Sequence, residues 1–192
     1  MKVMEDFYNS GIINAVTNET LICLILKKKD SVKLKDYRPK SLVTSLYKAV
    51  SKVPATRLKE VLGETTHANQ GAFVKNRQIL DVVLVANEAV QDAMKLNKSR
   101  LVFKIDFDHA YDHVEWRVVD DVMGKFKTTR GVRQGDLLSP FLFSLVIDVL
   151  SRLMEKAQEY NLLHGLFIRR DKVEVSHLQF ADDTIFLLGV KE

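Results

Sequence analysis

The chain predicts an α+β fold, an antiparallel sheet with packing helices, and three observations carry that reading. Leu101, Phe103, Ile105 and Phe107 alternate with Val102, Lys104 and Asp106, which is the period of a strand. Apolar runs at 163–168 and 173–180 flank the charged stretch 169–172, as two paired strands would. Between the basic N-terminal third and these strands, apolar residues recur at helical spacing in two long segments. The same pattern also admits a mixed α/β arrangement.

Taken in order, residues 21–26 form a short apolar run that predicts a buried strand leading into a basic loop. Cys23, the one cysteine, lies in that run, so no internal disulfide can form and a small buried hydrophobe is its expected role. Positions 41–62 predict a helix with Leu42, Leu46, Ala49, Val50 and Val53 on one face and Gly63 as its stop. Pro54 interrupts it, because proline lacks the backbone donor and clashes with the carbonyl of Val50, at about 3 kcal/mol or a kink. Ile79, Val82, Val83, Ala86, Val90, Ala93 and Met94 mark a second amphipathic helix that ends in the polar stretch 97–100.

The strand that follows carries Asp106 near its end, pointing away from the phenylalanine face. Ser139 as N-cap and Pro140 in the first turn open a helix whose stretch 141–150 is apolar nearly all round, so it belongs in the core. The paired strands at 163–168 and 173–180 come next, then a last strand at 185–188. Before that last strand stand Asp182 and Asp183, two carboxylates at the tip of a strand-turn-strand unit. Such a pair repels itself unless cations relieve it, and hard divalent cations prefer oxygen ligands. Two solvated turn aspartates are the alternative reading.

At 192 residues, with 46% hydrophobic and 28% charged, the chain can bury a good core, which excludes a disordered one. No apolar stretch reaches the length of a membrane span, and positions 1–10 carry three charges, so a soluble intracellular protein without a secretory signal is expected. The net charge of +4 is unevenly placed. Lys27, Lys28, Lys29, Lys33, Lys35, Arg38 and Lys40 face only Asp30 and Asp36, and Lys125, Lys127, Arg130 and Arg133 form a second cluster. Both suit phosphate-rich partners, and a solvated lysine-rich loop is the plainer alternative.

Asp106 at one strand end and Asp182 and Asp183 at another tip would converge if their strands are neighbours. Three carboxylates so gathered need cations between them, and two divalent ions held there activate an attacking oxygen and stabilise a leaving phosphate. That is the chemistry of phosphoryl or nucleotidyl transfer. His109 and His113, beside Asp108 and Asp112, have the spacing of a zinc pair on a helix but no third ligand, and His67, His164 and His177 show no ligand spacing. Trp116 reads as core.

The order of motifs is more specific still. The segment Asp106-Phe107-Asp108-His109-Ala110-Tyr111-Asp112 comes first, then Arg130-Gly131-Val132-Arg133-Gln134-Gly135-Asp136-Leu137-Leu138-Ser139-Pro140, then Phe180-Ala181-Asp182-Asp183. In that order they resemble the three palm motifs of reverse transcriptases, most closely the non-LTR (LINE-type) retrotransposons of plants. Upstream, Asp36-Tyr37-Arg38-Pro39-Lys40-Ser41-Leu42 and the stretch from Gly71 to Asp81 resemble the fingers motifs of the same family. The similarity starts near Glu19, which leaves 1–18 as a flank, 19–100 as fingers-like and 101–192 as palm-like.

The resemblance implies an RNA-directed DNA polymerase, adding deoxynucleoside triphosphates to a DNA primer on an RNA template. It implies that Asp106 and Asp182 bind two Mg2+ ions, or Mn2+ in their place, with Asp183 completing the carboxylate cluster and the carbonyl of Phe107 as a further ligand. Tyr111 would stand beneath the sugar and disfavour a 2'-hydroxyl, with a core tyrosine as the alternative. Gln134 and Gly135 would line the nucleotide and template pocket, where glycine permits close backbone approach. Arg38 and Arg77 would meet triphosphate or template, or else form surface ion pairs. A nuclear site of action would follow from the family.

The chain departs from the family in several places. Between Val114 and Arg130 the family has several tens of residues more, so 123–129 marks an internal deletion, and so short a link is expected to keep Gln134 from the carboxylates. Leu137 stands for proline, Lys40 for a buried isoleucine and Pro54 for a helix former, and Lys40 would put a charge into an apolar site. The chain ends soon after Leu188, so no thumb is expected. A catalytically silent retrotransposon remnant, with weak nucleic-acid or Mg2+ binding, therefore competes with the active enzyme. A helical interaction module would leave the ordered motifs unexplained.

Overall fold

The computed structural model describes residues 2–13, 15–27, 29, 33–96, 99–107, 110–115, 131–168 and 173–190. Asp108, His109, Trp116, Lys28, Asp30, most of the second basic cluster, and positions 123–129 and 169–172 lie outside them.

Helix α1 (Lys2–Ser10) and the helical turn α2 (Ala15–Asn18) lead into a two-stranded antiparallel ribbon of β1 (Thr20–Leu26) and β2 (Tyr37–Val43). The register runs from Leu26↔Tyr37 to Thr20↔Val43. The strand predicted at 21–26 is present, but it is not buried: from Leu21 to Leu26 every side chain is exposed, Cys23 included. Among the described residues β1 pairs only with β2, and the partly covered face of the ribbon lies on β2, where Tyr37, Pro39, Ser41 and Val43 alternate with the exposed Arg38, Lys40 and Leu42.

Helix α3 (Ser45–Thr65) begins later than predicted, because residues 41–43 are spent pairing with β1. Thr44 caps it, its hydroxyl accepting from the Tyr47 amide at 3.2 Å. Gly63 does not stop it; the helix runs on to Thr65 and is capped by Thr66, whose hydroxyl donates to the Leu62 carbonyl at 2.6 Å. Pro54 sits inside the helix on its exposed side and does not break it. The buried face is Val50, Ser51, Ala55, Leu58 and Leu62, whereas Val53 and Leu42, assigned to one face by spacing, are exposed. Lys40, expected to bury a charge, is exposed as well.

Helix α4 (Ile79–Lys95) is present as predicted and packs Ala89 and Ala93 against the main sheet, but Ile79, Val83 and Met94, assigned to its apolar face, are exposed. That sheet is built from β3 (Arg100–Asp106), β4 (His164–Ile168), β5 (Val173–Val175), β6 (His177–Phe180) and β7 (Asp183–Gly189). Its order is β3-β7-β4-β5, with β6 also paired to β7, and every pairing is antiparallel. The single strand expected at 173–180 is two strands broken at Ser176, β5 pairing β4 and β6 pairing β7. Ser176 makes the break useful: its carbonyl accepts from Leu187 at 2.8 Å.

Helix α5 (Ser139–Glu159) starts one residue earlier than expected, with Leu138 as N-cap, Ser139 inside and Pro140 in the first turn. The hydroxyl of Ser139 instead donates to the Asp136 carboxylate at 3.4 Å. Two helices thus serve opposite faces of the sheet. On one, Leu178, Ile185 and Leu187 meet α4; on the other, His177 and Gln179 meet Ser151 of α5. A second core joins α3 and α5 through Leu58, Leu62, Leu142 and Phe143, with Val114 and Val132 between.

The seam between α5 and β6 is polar and fully buried. Ser151 donates to Gln179 Oε1 at 2.8 Å and bonds His177 Nε2 at 2.9 Å, while Ser176 bonds His177 Nδ1 at 3.1 Å. Gln179 also ties the strand to the 69–71 loop through its own amide and carbonyl. Burial, with His67 close by, lowers the His177 pKa to about 4.

Candidate active site

Where the ribbon meets the main sheet lies an open cleft of about 550 Å³. The end of β3 contributes Asp106 and Phe107, the β6–β7 turn contributes Asp182, and the segments beside α5 contribute Tyr111, Gln134 and Gly135. From the ribbon come Lys27, Arg38 and Lys40. Carboxylates and cations therefore share one concavity, the charge arrangement a polyanion with counter-cations would need.

Strand register explains the carboxylates. Asp106 pairs Asp183 across β3 and β7, the last pair of that ladder, so the ends of two neighbouring strands bring the acids to one sheet edge. Asp182 is set one residue earlier, in the two-residue turn that joins Phe180 to its partner Asp183. That turn holds Ala181 at φ 55°, the left-handed region an alanine enters only at a cost. Asp183 is drawn to Lys104, whose Nζ lies 2.6 Å from its carboxylate. The hydrogen bond from that ammonium, reinforced by the nearby acids, raises the Lys104 pKa. The cleft itself is lined by Asp106 and Asp182, not by Asp183.

Tyr111 forms the floor: its ring stacks on Phe143 at 4.7 Å between centroids, which fixes the plane of the phenol. Burial and the charge of Asp182 raise its pKa, so the phenol stays protonated. Gln134 and Gly135 reach the cleft despite the short link. Val132 donates to the Tyr111 carbonyl at 2.8 Å and Gly131 to the Val114 carbonyl at 3.0 Å, so the two ends of the 116–130 segment are already adjacent. The Gln134 carbonyl then accepts from the Ser41 amide at 2.8 Å, which locks the turn to β2. Gly135 has φ 102°, and a Cβ there would lie 3.0 Å from the Ser41 carbonyl oxygen, so the position demands glycine.

Arg38 lines the cleft; Arg77 does not. The Arg77 guanidinium donates to the carbonyls of His67 and Gln70, both at 2.7 Å, and to Gly63 at 3.3 Å, which binds the 67–78 loop to the end of α3. Arg133, which also lines the cleft, is committed too: it donates to Asn18 and lies over the Tyr47 ring at 5.0 Å. Lys27, Lys40 and Arg133 were not singled out from the sequence as site residues. Their signal was the two basic clusters, which gave charge without direction. Lys104 was legible in principle, since strand parity puts it on the face of Asp106.

The reverse transcriptase (RNA-dependent DNA polymerase) family model matches residues 25–192. The chain is 27% identical over 217 residues to the "Transposon TX1 uncharacterized 149 kDa protein" of Xenopus laevis, a match covering 97% of this chain and 16% of that protein. Over 61 residues it is 48% identical to an uncharacterised mitochondrial protein of Arabidopsis thaliana, covering 32% of this chain and 50% of the relative. It is 25% identical over 201 residues to the "Retrovirus-related Pol polyprotein from type-1 retrotransposable element R2" of Nasonia vitripennis, covering 88% of this chain and 18% of that polyprotein. The chain thus spans half or less of the length of each of these relatives. A family model that covers most of the sequence, with its acids gathered at one cleft, places the protein in the reverse transcriptase family, as a domain related to those of transposon and retrotransposon proteins.

Proposed function

We propose that this domain is the RNA-directed DNA polymerase of a non-LTR, LINE-type retrotransposon of plants, with residues 19–100 as fingers and 101–192 as palm. It extends a DNA primer on an RNA template with deoxynucleoside triphosphates. The observation that carries the reading is the shared cleft: Asp106 and Asp182, far apart in sequence, face the ribbon cations across one concavity. The 48% identity to a plant protein supports the plant assignment, and the R2 relative supports the element class.

The donor set fits Mg2+. That ion takes one or two protein carboxylates and completes its octahedron with water and substrate phosphate, so it does not require a cage built from protein alone. Among the described residues no group of three His, Cys, Asp or Glu forms such a cage, and Asp106 and Asp182 with the Phe107 carbonyl are the donors on hand. Two bound Mg2+ ions supply activation of the primer 3'-hydroxyl and neutralisation of the leaving pyrophosphate. Tyr111, held flat by Phe143, stands beneath the sugar and excludes a 2'-hydroxyl by contact. Gln134 and Gly135 form the wall that the base and template approach, and Arg38 receives phosphate. Asp183, held by Lys104, supports the carboxylate pair from the adjacent register position.

A second reading has its own support. The stretch aligned with the Xenopus protein, 217 residues, is longer than this whole chain of 192, so the alignment opens gaps in this chain, as an internal deletion would. That fits a catalytically silent remnant with at most weak nucleic-acid or Mg2+ binding. Primer extension on poly-A template with oligo-dT separates the two. Mg2+-dependent extension that Asp182→Asn abolishes supports the polymerase. Equal silence of both folded proteins supports the remnant.

A further inference from the structure

Lys40 is not accounted for by the roles given above. The strand β2 places Arg38 and Lys40 two positions apart on one side of the ribbon, both exposed and both lining the cleft that holds Asp106 and Asp182. Together with Lys27, they differ in their commitments from Arg77, Arg133 and Lys104. Arg77 donates to backbone carbonyls, Arg133 donates through Nη2 to Asn18 while its buried Nη1 has no hydrogen-bond partner among the described residues, and Lys104 is held by Asp183. Among the described residues no hydrogen bond or ion pair engages the side chain of Arg38 or Lys40. The position of Lys40 is nevertheless fixed, because the next residue, Ser41, bonds the Gln134 carbonyl and closes on Gly135. An uncommitted lysine therefore rises from a fixed backbone position beside Gln134 and Gly135, on the ribbon side of a cleft whose other side carries Asp106 and Asp182.

We propose that Lys40 is a phosphate-binding residue of this cleft, taking the anionic tail of a nucleoside triphosphate beside Arg38. This rests on the reading of the cleft as a nucleotide site, and it adds a ligand where the resembling family carries an apolar isoleucine. An ammonium with three donors and a flexible stem suits a polyphosphate, whose oxygens present acceptors in several directions. Arg38 alone could neutralise one phosphate. Lys40 extends the positive side along the strand by two residues, about 7 Å, which is the length of a polyphosphate tail rather than of a single phosphate.

The test is titration calorimetry on the full chain with inorganic tripolyphosphate, dTTP and thymidine, each in Mg2+. The variants are Lys40→Ile, Lys40→Arg, and Lys59→Ile as an exposed lysine on α3 that matches the change in net charge. Lys40→Ile should weaken tripolyphosphate and dTTP roughly fivefold, with a shallower dependence on salt, and leave thymidine unchanged. Lys40→Arg should stay close to wild type, and Lys59→Ile should have no effect. Equal affinity of Lys40→Ile and wild type would overturn the proposal, as would an equal loss in Lys59→Ile or no tripolyphosphate binding by the wild type. Asp182→Asn separates this from the underlying reading. If it leaves the Mg2+ dependence of dTTP binding intact, the metal site fails, while the loss in Lys40→Ile on tripolyphosphate still stands for Lys40. If Asp182→Asn removes that dependence and Lys40→Ile changes nothing, the metal site stands and Lys40 fails.

Discussion

Asp182 follows a residue in left-handed backbone, and its hairpin is held from behind by a buried histidine. His177 bonds Ser151 of α5 through Nε2 and Ser176 through Nδ1, and burial, with His67 close by, lowers its pKa to about 4, so the ring is neutral at neutral pH. The unfolded chain takes up this proton near pH 6.5, whereas the folded protein resists until about pH 4. The stabilisation is therefore whole above pH 6.5 and drains as pH falls toward 4, by at most about 3 kcal/mol. Thermal unfolding of wild type and His177→Gln between pH 7.5 and 4.5 checks this. The variant should start less stable and lose less on acidification, and parallel curves would contradict it. Residue by residue, Asp106 and Asp182 were legible because strand alternation and a turn between apolar runs leave few places for an acid to go. His177 was not, since the partner of its Nε2, Ser151, comes from α5, which no local spacing announces. Arg77 misled for the same reason: three carbonyls gathered by tertiary structure take a side chain that its motif had pointed at substrate.

Among the elements, α3 is the one at odds with local rules. Pro54 stands ten residues into a helix of 21, where it cannot donate to the Val50 carbonyl. The helix persists because Val50, Ala55, Leu58 and Leu62 are buried along its inner face, and packing outweighs the lost bond. Pro54→Ala, on the exposed side, should restore that bond and stabilise the domain by about 1–3 kcal/mol in urea unfolding. No gain would mean that the helix has already relaxed around the proline. The start of α3 and the exposure of β1 show where the pattern was insufficient. An apolar run of six reads as buried when its partners are unknown, and only the pairing of β1 with β2 claims residues 41–43 for a strand. By contrast, the presence of α4 and β3 was legible, because a long amphipathic period marks a helix and strict alternation a strand, although Ile79, Val83, Met94 and most of β3 are exposed.

At the scale of the molecule, antiparallel register and two helices on opposite faces of one sheet bring three distant motifs to a single cleft. The 116–130 segment is short, yet hydrogen bonds between 111–114 and 131–132 hold its ends together, so Gln134 reaches the site all the same. The sequence alone could not reveal this, because it depends on where the chain re-enters and not on how long the link is. The central claim is that Asp106 and Asp182 together hold a divalent cation with a nucleotide. Its most direct test is Mn2+ binding followed by electron paramagnetic resonance, with and without dTTP, in wild type and in Asp106→Asn and Asp182→Asn. The wild type should bind Mn2+ more tightly when dTTP is present, and each substitution should weaken that binding at least tenfold, since each removes one of two carboxylate donors. Identical Mn2+ titrations in all three proteins would contradict the claim.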